Sequence, residues 1–288
     1  MKNNLSFLVI GMFILTSFHS NKAEATKTAN ENSNSLSIKL INGHWFNGRA
    51  FENKTAWVNK GILSFTDKNQ KHDTIIDLGG KYVIPPFCEA HNHNLESEFK
   101  LNERINSYLK NGVFYVKHLS SIKKRVEPLL HHYNKPDGID VSFAHAPLTG
   151  TGGHPVAVRK RYLEKGYFRG LFNTLEEIES HGYFIIDNLQ DLESKWNGIL
   201  SFKPDFLKIM LLYSEEYEKR KNDTAAYFGN KGLNPALVPE IVKKAHQNKL
   251  RVSAHIETAY DFQVAVEAGV DEIAHLPEID NGKPIRVV

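Results

Sequence analysis

The sequence of 288 residues predicts a small β domain followed by a larger α/β domain built on a parallel sheet. Between residues 36 and 84, short β-like segments are separated by the turn-forming sequences Asn-Gly, Asn-Lys-Gly and Gly-Gly. From Tyr82 onward, apolar strands alternate with amphipathic helical stretches. Strands that alternate with helices are typical of a parallel sheet with helices packed outside it.

The individual elements follow from these patterns. The β-like segments of the first domain are LSIKLI (36–41), TAWV (55–58), GILSF (61–65) and DTIIDL (73–78). The strand candidates of the second domain are YVIPPFCEAH (82–91), GVFYVKHL (112–119), GIDVSFAH (138–145), DFLKIMLLY (205–213), LRVSAHI (250–256) and DEIAHL (271–276). Helices are predicted from Pro235 to Lys249, where Leu237, Ile241 and Ala245 share one face, and from Ala259 to Glu267.

The first 25 residues have the pattern of a secretory signal peptide. A positive start at Lys2 precedes an apolar run from Leu5 to Phe18, and Ala23 and Ala25 supply small residues for cleavage. The run is short for a membrane-spanning helix, although an uncleaved anchor is the alternative. We expect an exported, periplasmic or secreted protein with no membrane partner after cleavage. Residues 26–35 are polar and are predicted to form a disordered leader.

Composition excludes several functional classes. A hydrophobic fraction of 41% with 24% charged residues is typical of a globular protein. Lys and Arg number 36 against 33 Asp and Glu, and this surplus of +3 is too small to indicate a nucleic-acid partner. The single cysteine, Cys88, cannot form an internal disulfide and is interpreted as a small buried apolar side chain. Fourteen histidines instead direct attention to metal binding or proton transfer.

The strongest chemical pattern is His91-Asn92-His93 at the end of the first long strand. Side chains alternate across a strand, so His91 and His93 lie on the same side and could bind one metal ion. Ordinary core histidines are the alternative. Lys208 stands inside an apolar strand, where a charged amine is costly unless it is paired or neutralised.

Two further histidines, His255 and His275, also lie near the ends of predicted strands. In a parallel β/α barrel, the carboxyl ends of all strands face one common mouth. The sequence therefore predicts that His91, His93, His255 and His275 converge there with Lys208.

These motifs resemble a known family. YVIPPFCEAHNHN is similar to the Pro-Gly-Phe-hydrophobic-Asp-x-His-x-His strand that opens the barrel of the amidohydrolase superfamily, and LINGHWFNG through DLGGKYVIPPF resembles its N-terminal β-sandwich portion. The resemblance runs from about Leu36 to Pro277 and is loose between residues 150 and 201. It implies a (β/α)8 TIM-like barrel over residues 85–288, here incomplete with about six βα units, preceded by a β-sandwich portion over residues 36–84.

The resemblance also implies a metal site and an activity. His91 and His93 would bind one divalent ion, His255 and His275 a second, and a carboxylated Lys208 would bridge them. Zn²⁺ suits this set of one or two ions, with manganese, iron or nickel as alternatives. For Lys208, pairing with a carboxylate or exposure to solvent remain alternatives. The implied activity is hydrolysis of amide, cyclic amide or peptide-like C–N bonds by metal-activated hydroxide, as in the imidazolonepropionase- and prolidase-related branches.

The sequence departs from the family pattern at three places. Pro86 and Glu89 stand where the family usually has Gly and Asp. The chain ends thirteen residues after His275, before the expected strand-eight aspartate that moves the proton in the family. Residues 86–288 number 203, against the ~250 of a full barrel, which favours a C-terminally truncated chain without an assigned catalytic residue. A catalytically incomplete metal-binding remnant is therefore the alternative, and a lyase or isomerase on the same scaffold is a third.

Weaker candidates for substrate binding flank these strands, and each could equally be structural. They are His118, His145, His154 in the loop GTGGHP, Tyr213 and Glu257. That loop lacks the Lys-Ser/Thr of a phosphate loop and the pattern GxGxxG, so nucleotide binding is not expected.

A basic stretch follows the loop, from Arg159 to Arg169. It could attract an anionic substrate, and a solvated helix face is the alternative. The expected partner is a small-molecule or peptide-like substrate, such as a dipeptide or an N-acyl amino acid. The sequence carries no information on the oligomeric state.

Overall fold

A computed structural model describes residues 37–66, 71–135 and 137–277. The predicted signal peptide and leader (1–35) lie outside the described residues. Within the described ranges, no helix is long and apolar enough to cross a membrane. The chain divides into two compact units: one runs to Phe87 and includes Tyr108–Phe114, and the other comprises Cys88–Ser107 and the chain from Tyr115 onward.

The first unit is built on one five-stranded sheet. Its strands are β1 (Ile38–Phe46), β2 (Phe51–Asn59), β3 (Ile62–Ser64), β4 (Thr74–Asp77) and β5 (Tyr82–Val83). The order is β3-β2-β1-β4, with β5 also beside β1. Alternation along the strands buries one face, whose core is Leu40, Trp45, Ala56, Leu78 and Val83. Each of the four predicted segments contains a strand, but the described residues form a single sheet and do not confirm a sandwich.

The remaining strands form two parallel sheets. They are β6 (Phe87–Asn92), β7 (Val113–His118), β8 (Asp140–Phe143), β9 (Leu148–Thr149), β10 (Phe184–Ile185), β11 (Leu207–Met210), β12 (Val252–His255) and β13 (Glu272–Ile273). Their orders are β6-β7-β8 and β10-β9-β11-β12-β13. The predicted mixed α/β class with parallel sheets is confirmed. The described strands do not close into a barrel.

Helices alternate with these strands. They are α1 (Leu101–Lys110), α2 (Lys123–Val126), α3 (Val156–Glu164), α4 (Leu175–Ile178), α5 (Leu189–Ser201), α6 (Tyr217–Lys221), α7 (Val238–Gln247) and α8 (Ala259–Glu267). Short 3-10 helices occupy Glu127–His132, Ser214–Glu216 and Pro235–Leu237. The predicted helix 259–267 has these bounds in the structure, whereas 235–249 splits into a 3-10 turn and α7. Sequence reasoning gave no bounds for β9, β10 or helices α1 to α6.

The core of the second unit holds the site-bearing strands in register. Every residue of β11 and β12 is buried, and these parallel strands pair Lys208 with Ser253 and Met210 with His255. Apolar faces of α5 and α7, including Trp196, pack against them. Each such buried large side chain stabilises the fold by about 1.5–3 kcal/mol. The carboxyl ends of the two strands are therefore fixed side by side.

Candidate metal centre

A cavity of about 370 Å³ lies where these strands end. Its walls are formed by His91, His93, Glu96, Ser120, His154, Pro155, Val158, Arg159, Tyr162, Lys208, Met210, His255 and His275. All five residues predicted to converge therefore line one cavity, which we call the histidine cavity.

Five imidazoles of the histidine cavity form a continuous chain of ring contacts. Ring centroids are 4.9 Å apart for His93 and His91, and 4.4 Å for His91 and His275. The chain continues from His275 to His255 at 4.5 Å and from His255 to His154 at 4.8 Å, the last pair nearly parallel. Residues from three strand ends and one loop thus meet side by side.

Strand geometry explains the first pair. The alternation of β6 places His91 and His93 on one side, and their Nε2 atoms are 2.9 Å apart. The Nδ1 atom of His91 lies 3.3 Å from the carbonyl oxygen of Ala274. This contact involves the chain beside His275 and orients the His91 ring.

Desolvation keeps these imidazoles neutral at pH 7. It lowers the pKa of His255 to about 2, with help from neighbouring charges, and lowers the pKa of His93, His154 and His275 to about 4. Burial also lowers the pKa of His91. A neutral imidazole has a free nitrogen lone pair, which is the form that binds metal ions.

Lys208 is the least satisfied group of the histidine cavity. Its side chain is on β11 with 2% of the residue exposed, and its Nζ has no hydrogen-bond partner among the described residues. Burial lowers the pKa of Lys208 to about 7, while the nearby Glu272 carboxylate opposes this shift. Glu272 itself accepts from Lys117 Nζ and Ser253 Oγ. Lys208 is thus buried as predicted and does not reach solvent.

The donor set fits a divalent cation, although its atoms are not in ligand positions. Among the described residues, no three His, Cys, Asp or Glu side chains are arranged to hold an ion. Neutral imidazoles with facing Nε2 atoms nevertheless provide the ligands that zinc and similar metals bind. The orphaned amine of Lys208 adds a buried group that lacks a partner. The neutral imidazoles favour a cation, whereas the amine of Lys208 fits beside a cation only in a neutral or carboxylated form.

A glycine-rich turn positions His154. The backbone of Gly152 has a φ of +67°, which favours glycine. A Cβ on Gly153 would lie 2.5 Å from Thr149 Oγ1, so only glycine fits this close approach. The N–H of His154 donates to the carbonyl oxygen of Lys231. The turn therefore directs His154 into the cavity, where it stacks on His255.

The other weak candidates do not line the cavity. His118 is buried beside Phe143, at 5.8 Å between ring centroids from His93. His145 is also buried, and its Nδ1 contacts a serine hydroxyl. The Tyr213 ring lies under the guanidinium of Arg220. His145 and Tyr213 therefore have protein partners, whereas neither ring nitrogen of His118 has a hydrogen-bond partner among the described residues.

Glu257 acts next to the cavity rather than in its wall. Its Oε1 lies 3.0 Å from His255 Nε2. A carboxylate bound to one ring nitrogen fixes the orientation of a metal-binding imidazole.

The prediction that Cys88 is buried is wrong. Cys88 is exposed, because β6 is an edge strand of its described sheet and no further strand covers that side. The basic stretch is solvated at four of its five basic residues. Lys160, Arg161, Lys165 and Arg169 are exposed, whereas Arg159 is buried with 4% exposure and lines the cavity.

Sequence reasoning missed Asp261, which ties the loops beside the cavity together. Its fully buried carboxylate accepts from the backbone N–H groups of Tyr213, Ser214, Glu257 and Thr258 and from the Ser214 hydroxyl. The signal was present as Thr258-x-x-Asp261, a capping box at the start of α8. Asp261 fixes the chain after both β11 and β12.

Solved structures of similar fold include several hydrolases. An ochratoxinase from A. niger has a TM-score of 0.58 and 14% identity over 83% of this chain and 60% of its own. An amidohydrolase has a TM-score of 0.56 and 17% identity over 83% of this chain and 60% of its own. A prolidase complexed with N-methylphosphonate-L-proline has a TM-score of 0.56 and 18% identity over 84% of this chain and 62% of its own. No family model matches the sequence, and no curated protein matches it significantly.

These likenesses show that the chain shares the fold of a solved ochratoxinase, a solved amidohydrolase and a solved prolidase. Identities below 20% support the fold alone, since one fold hosts many activities. The chain spans about 60% of the length of the solved structures. The fold and the site define an α/β protein that is similar in fold to solved amidohydrolases and has a cavity rich in neutral imidazoles.

Proposed function

We propose that this protein is a metal-dependent hydrolase that cleaves C–N bonds of amide, cyclic amide or peptide-like substrates. The observation that carries the proposal is the chain of five imidazoles beside the unpartnered amine of Lys208 in one cavity. The fold shared with an amidohydrolase and a prolidase supports the same chemistry.

Two groups of residues would hold the cation. His91 and His93 would bind one ion through imidazole nitrogens, and His255 and His275 would bind a second, with Zn²⁺ as the first choice. Lys208, as a carboxylated side chain, would become an anion between them. When bound, such a cation polarises a carbonyl oxygen and makes hydroxide available near neutral pH.

The remaining residues of the site would orient ligands and substrate. Glu257 holds the ring of His255 by the contact between Oε1 and Nε2. His154 presents a neutral imidazole at the cavity wall, where one ring N–H can donate to a substrate carbonyl oxygen. The cavity volume suits a small-molecule or peptide-like substrate. Export, inferred from the signal-peptide pattern, would place this substrate outside the cytoplasm.

The proposal is tested by metal content and by hydrolysis. Full-length protein is loaded with Zn²⁺, dialysed, and assayed for bound metal and for release of amines from a panel of N-acyl amino acids, dipeptides and cyclic amides. We expect the wild type to retain metal, and the double variant His91→Ala/His93→Ala to lose at least half of it. The matched control is His131→Ala/His132→Ala, which removes another adjacent histidine pair outside the cavity.

The outcomes separate the candidate functions. Metal retention with amine release supports the hydrolase. Metal retention without turnover on the whole panel favours the alternative, a catalytically incomplete metal-binding protein. Undiminished metal in the His91/His93 variant would contradict the site assignment itself.

A further inference from the structure

Arg159 is a second buried cation of the histidine cavity that the proposed chemistry does not use. It lies on α3, five residues after His154, and lines the same wall. Only 4% of the residue is exposed. Its Nη2 donates to Ser120 Oγ at 2.7 Å, but its Nε has no hydrogen-bond partner among the described residues.

No described carboxylate neutralises this guanidinium by direct contact. The nearest acidic influence is Glu96, which also lines the cavity. The two Glu96 oxygens are engaged elsewhere: Oε2 accepts from the Ile122 N–H, and Oε1 lies 3.6 Å from Arg125 Nη1. Arginine does not deprotonate in proteins, so Arg159 stays charged although burial lowers its pKa. A buried charge without a counterion is costly.

The position of this charge is near the proposed reaction centre. Arg159 contributes to the lowered pKa of His93, His118 and His154, so its field reaches both ends of the imidazole chain. A guanidinium matches the two oxygens of a carboxylate in a planar, bidentate pair. In N-acyl amino acids and dipeptides, a carboxylate is attached to the carbon beside the amide nitrogen.

We infer that Arg159 and Ser120 form a subsite for the free carboxylate of the substrate, which makes N-acyl amino acids or dipeptides the substrate class rather than neutral amides. This inference rests on the proposed function for the position of the scissile bond. The carboxylate would supply the missing counterion of Arg159, and the amide would then extend toward the imidazoles within the same 370 Å³ cavity.

Binding without turnover tests the subsite separately. A panel of N-acetyl-L-amino acids and the matching carboxamides is titrated calorimetrically into full-length, EDTA-treated protein, where no metal can attract the carboxylate. We expect the acids to bind at least about tenfold more tightly than their amides. The variant Arg159→Met should abolish this preference. The control Arg161→Met removes an exposed charge from the same helix and should preserve it.

Two measurements keep the inference falsifiable. If Arg159→Met does not fold, Arg159→Lys provides the test: it should keep only part of the preference because it lacks the bidentate fork, whereas a preference that came from Lys208 in the same cavity would be unchanged and would overturn the subsite. Acids that bind no better than amides, or that do not bind, overturn the subsite. Hydrolysis of neutral amides without acid preference would overturn the subsite but leave the proposed function. A preference for acids without any hydrolysis would support the subsite but overturn the proposed function.

Discussion

Two cavities of this protein each contain a buried lysine, but among the described residues only one of the two amines is hydrogen-bonded to the protein. The histidine cavity contains Lys208, whose Nζ has no hydrogen-bond partner among the described residues. The second cavity, of about 220 Å³, contains Lys231 with 5% exposure, and its Nζ contacts the carbonyl oxygens of Arg220 and Lys221 and the Thr224 hydroxyl. We call it the Lys231 cavity.

One further polar group in each cavity follows the same division. In the Lys231 cavity, the Asp187 carboxylate accepts from both the N–H and the hydroxyl of Thr151. In the histidine cavity, Arg159 Nε also lacks a partner. Buried polar groups are normally hydrogen-bonded, so an unsatisfied cluster indicates a missing ligand, whereas a satisfied one indicates structure. We therefore assign function to the first cavity and a structural role to the second.

The largest expected effect is a loss of stability on replacing Asp261, whose carboxylate is hydrogen-bonded through both oxygens. Replacing Asp261 with Ala leaves two buried and three partly buried donors without their acceptor, so we expect a loss of about 3–5 kcal/mol in the free energy of unfolding. Chemical denaturation measures this loss. The exposed Gln263→Ala on the same helix is the control, and an Asp261 variant as stable as that control would contradict the structural assignment.

The opposite sign is expected for Lys208. In metal-free protein, Lys208→Met removes an unpartnered buried amine and keeps an apolar side chain of similar length, so the fold should gain about 2 kcal/mol. Unfolding in urea after EDTA treatment measures the gain, with the surface variant Lys243→Met as control. A marked loss of stability would mean that Lys208 has a structural partner after all.

For Lys231, removal should destabilise. Lys231→Met leaves two carbonyl oxygens and the Thr224 hydroxyl without their donor, at an expected cost of about 1–2 kcal/mol. The same urea titration measures it. Equal effects of Lys208→Met and Lys231→Met would remove the distinction between the two cavities.

The smallest expected effect is a pH dependence at Asp271, just before β13. Burial raises the pKa of Asp271, but hydrogen bonds from the His246 side chain and the Val252 N–H outweigh it and lower the pKa overall. Because the pKa of Asp271 is lower in the folded than in the unfolded state, its carboxylate stabilises the fold at a pH above the unfolded pKa. This stabilisation is lost as the pH falls through the folded pKa. The stability difference between wild type and Asp271→Asn should therefore shrink as the pH falls below the ordinary aspartate pKa of about 3.9. A constant difference would refute the assignment.

The sequence predicted the elements that carry strong local signals. The imidazoles at strand ends and the buried Lys208 follow from alternation and apolar context, which depend only on neighbouring residues. Arg159 could not be distinguished from the exposed basic residues around it, because burial of a helix face depends on packing against distant segments. Cys88 was misjudged for the same reason: whether a strand is an edge depends on its sheet partners.

The most direct test of the metal centre is anomalous diffraction from crystals of the full-length protein grown with Zn²⁺. We predict a zinc peak in the histidine cavity within about 2.0–2.2 Å of a ring nitrogen of both His91 and His93. Absence of any peak in that cavity, with zinc bound at surface histidines instead, would contradict the account.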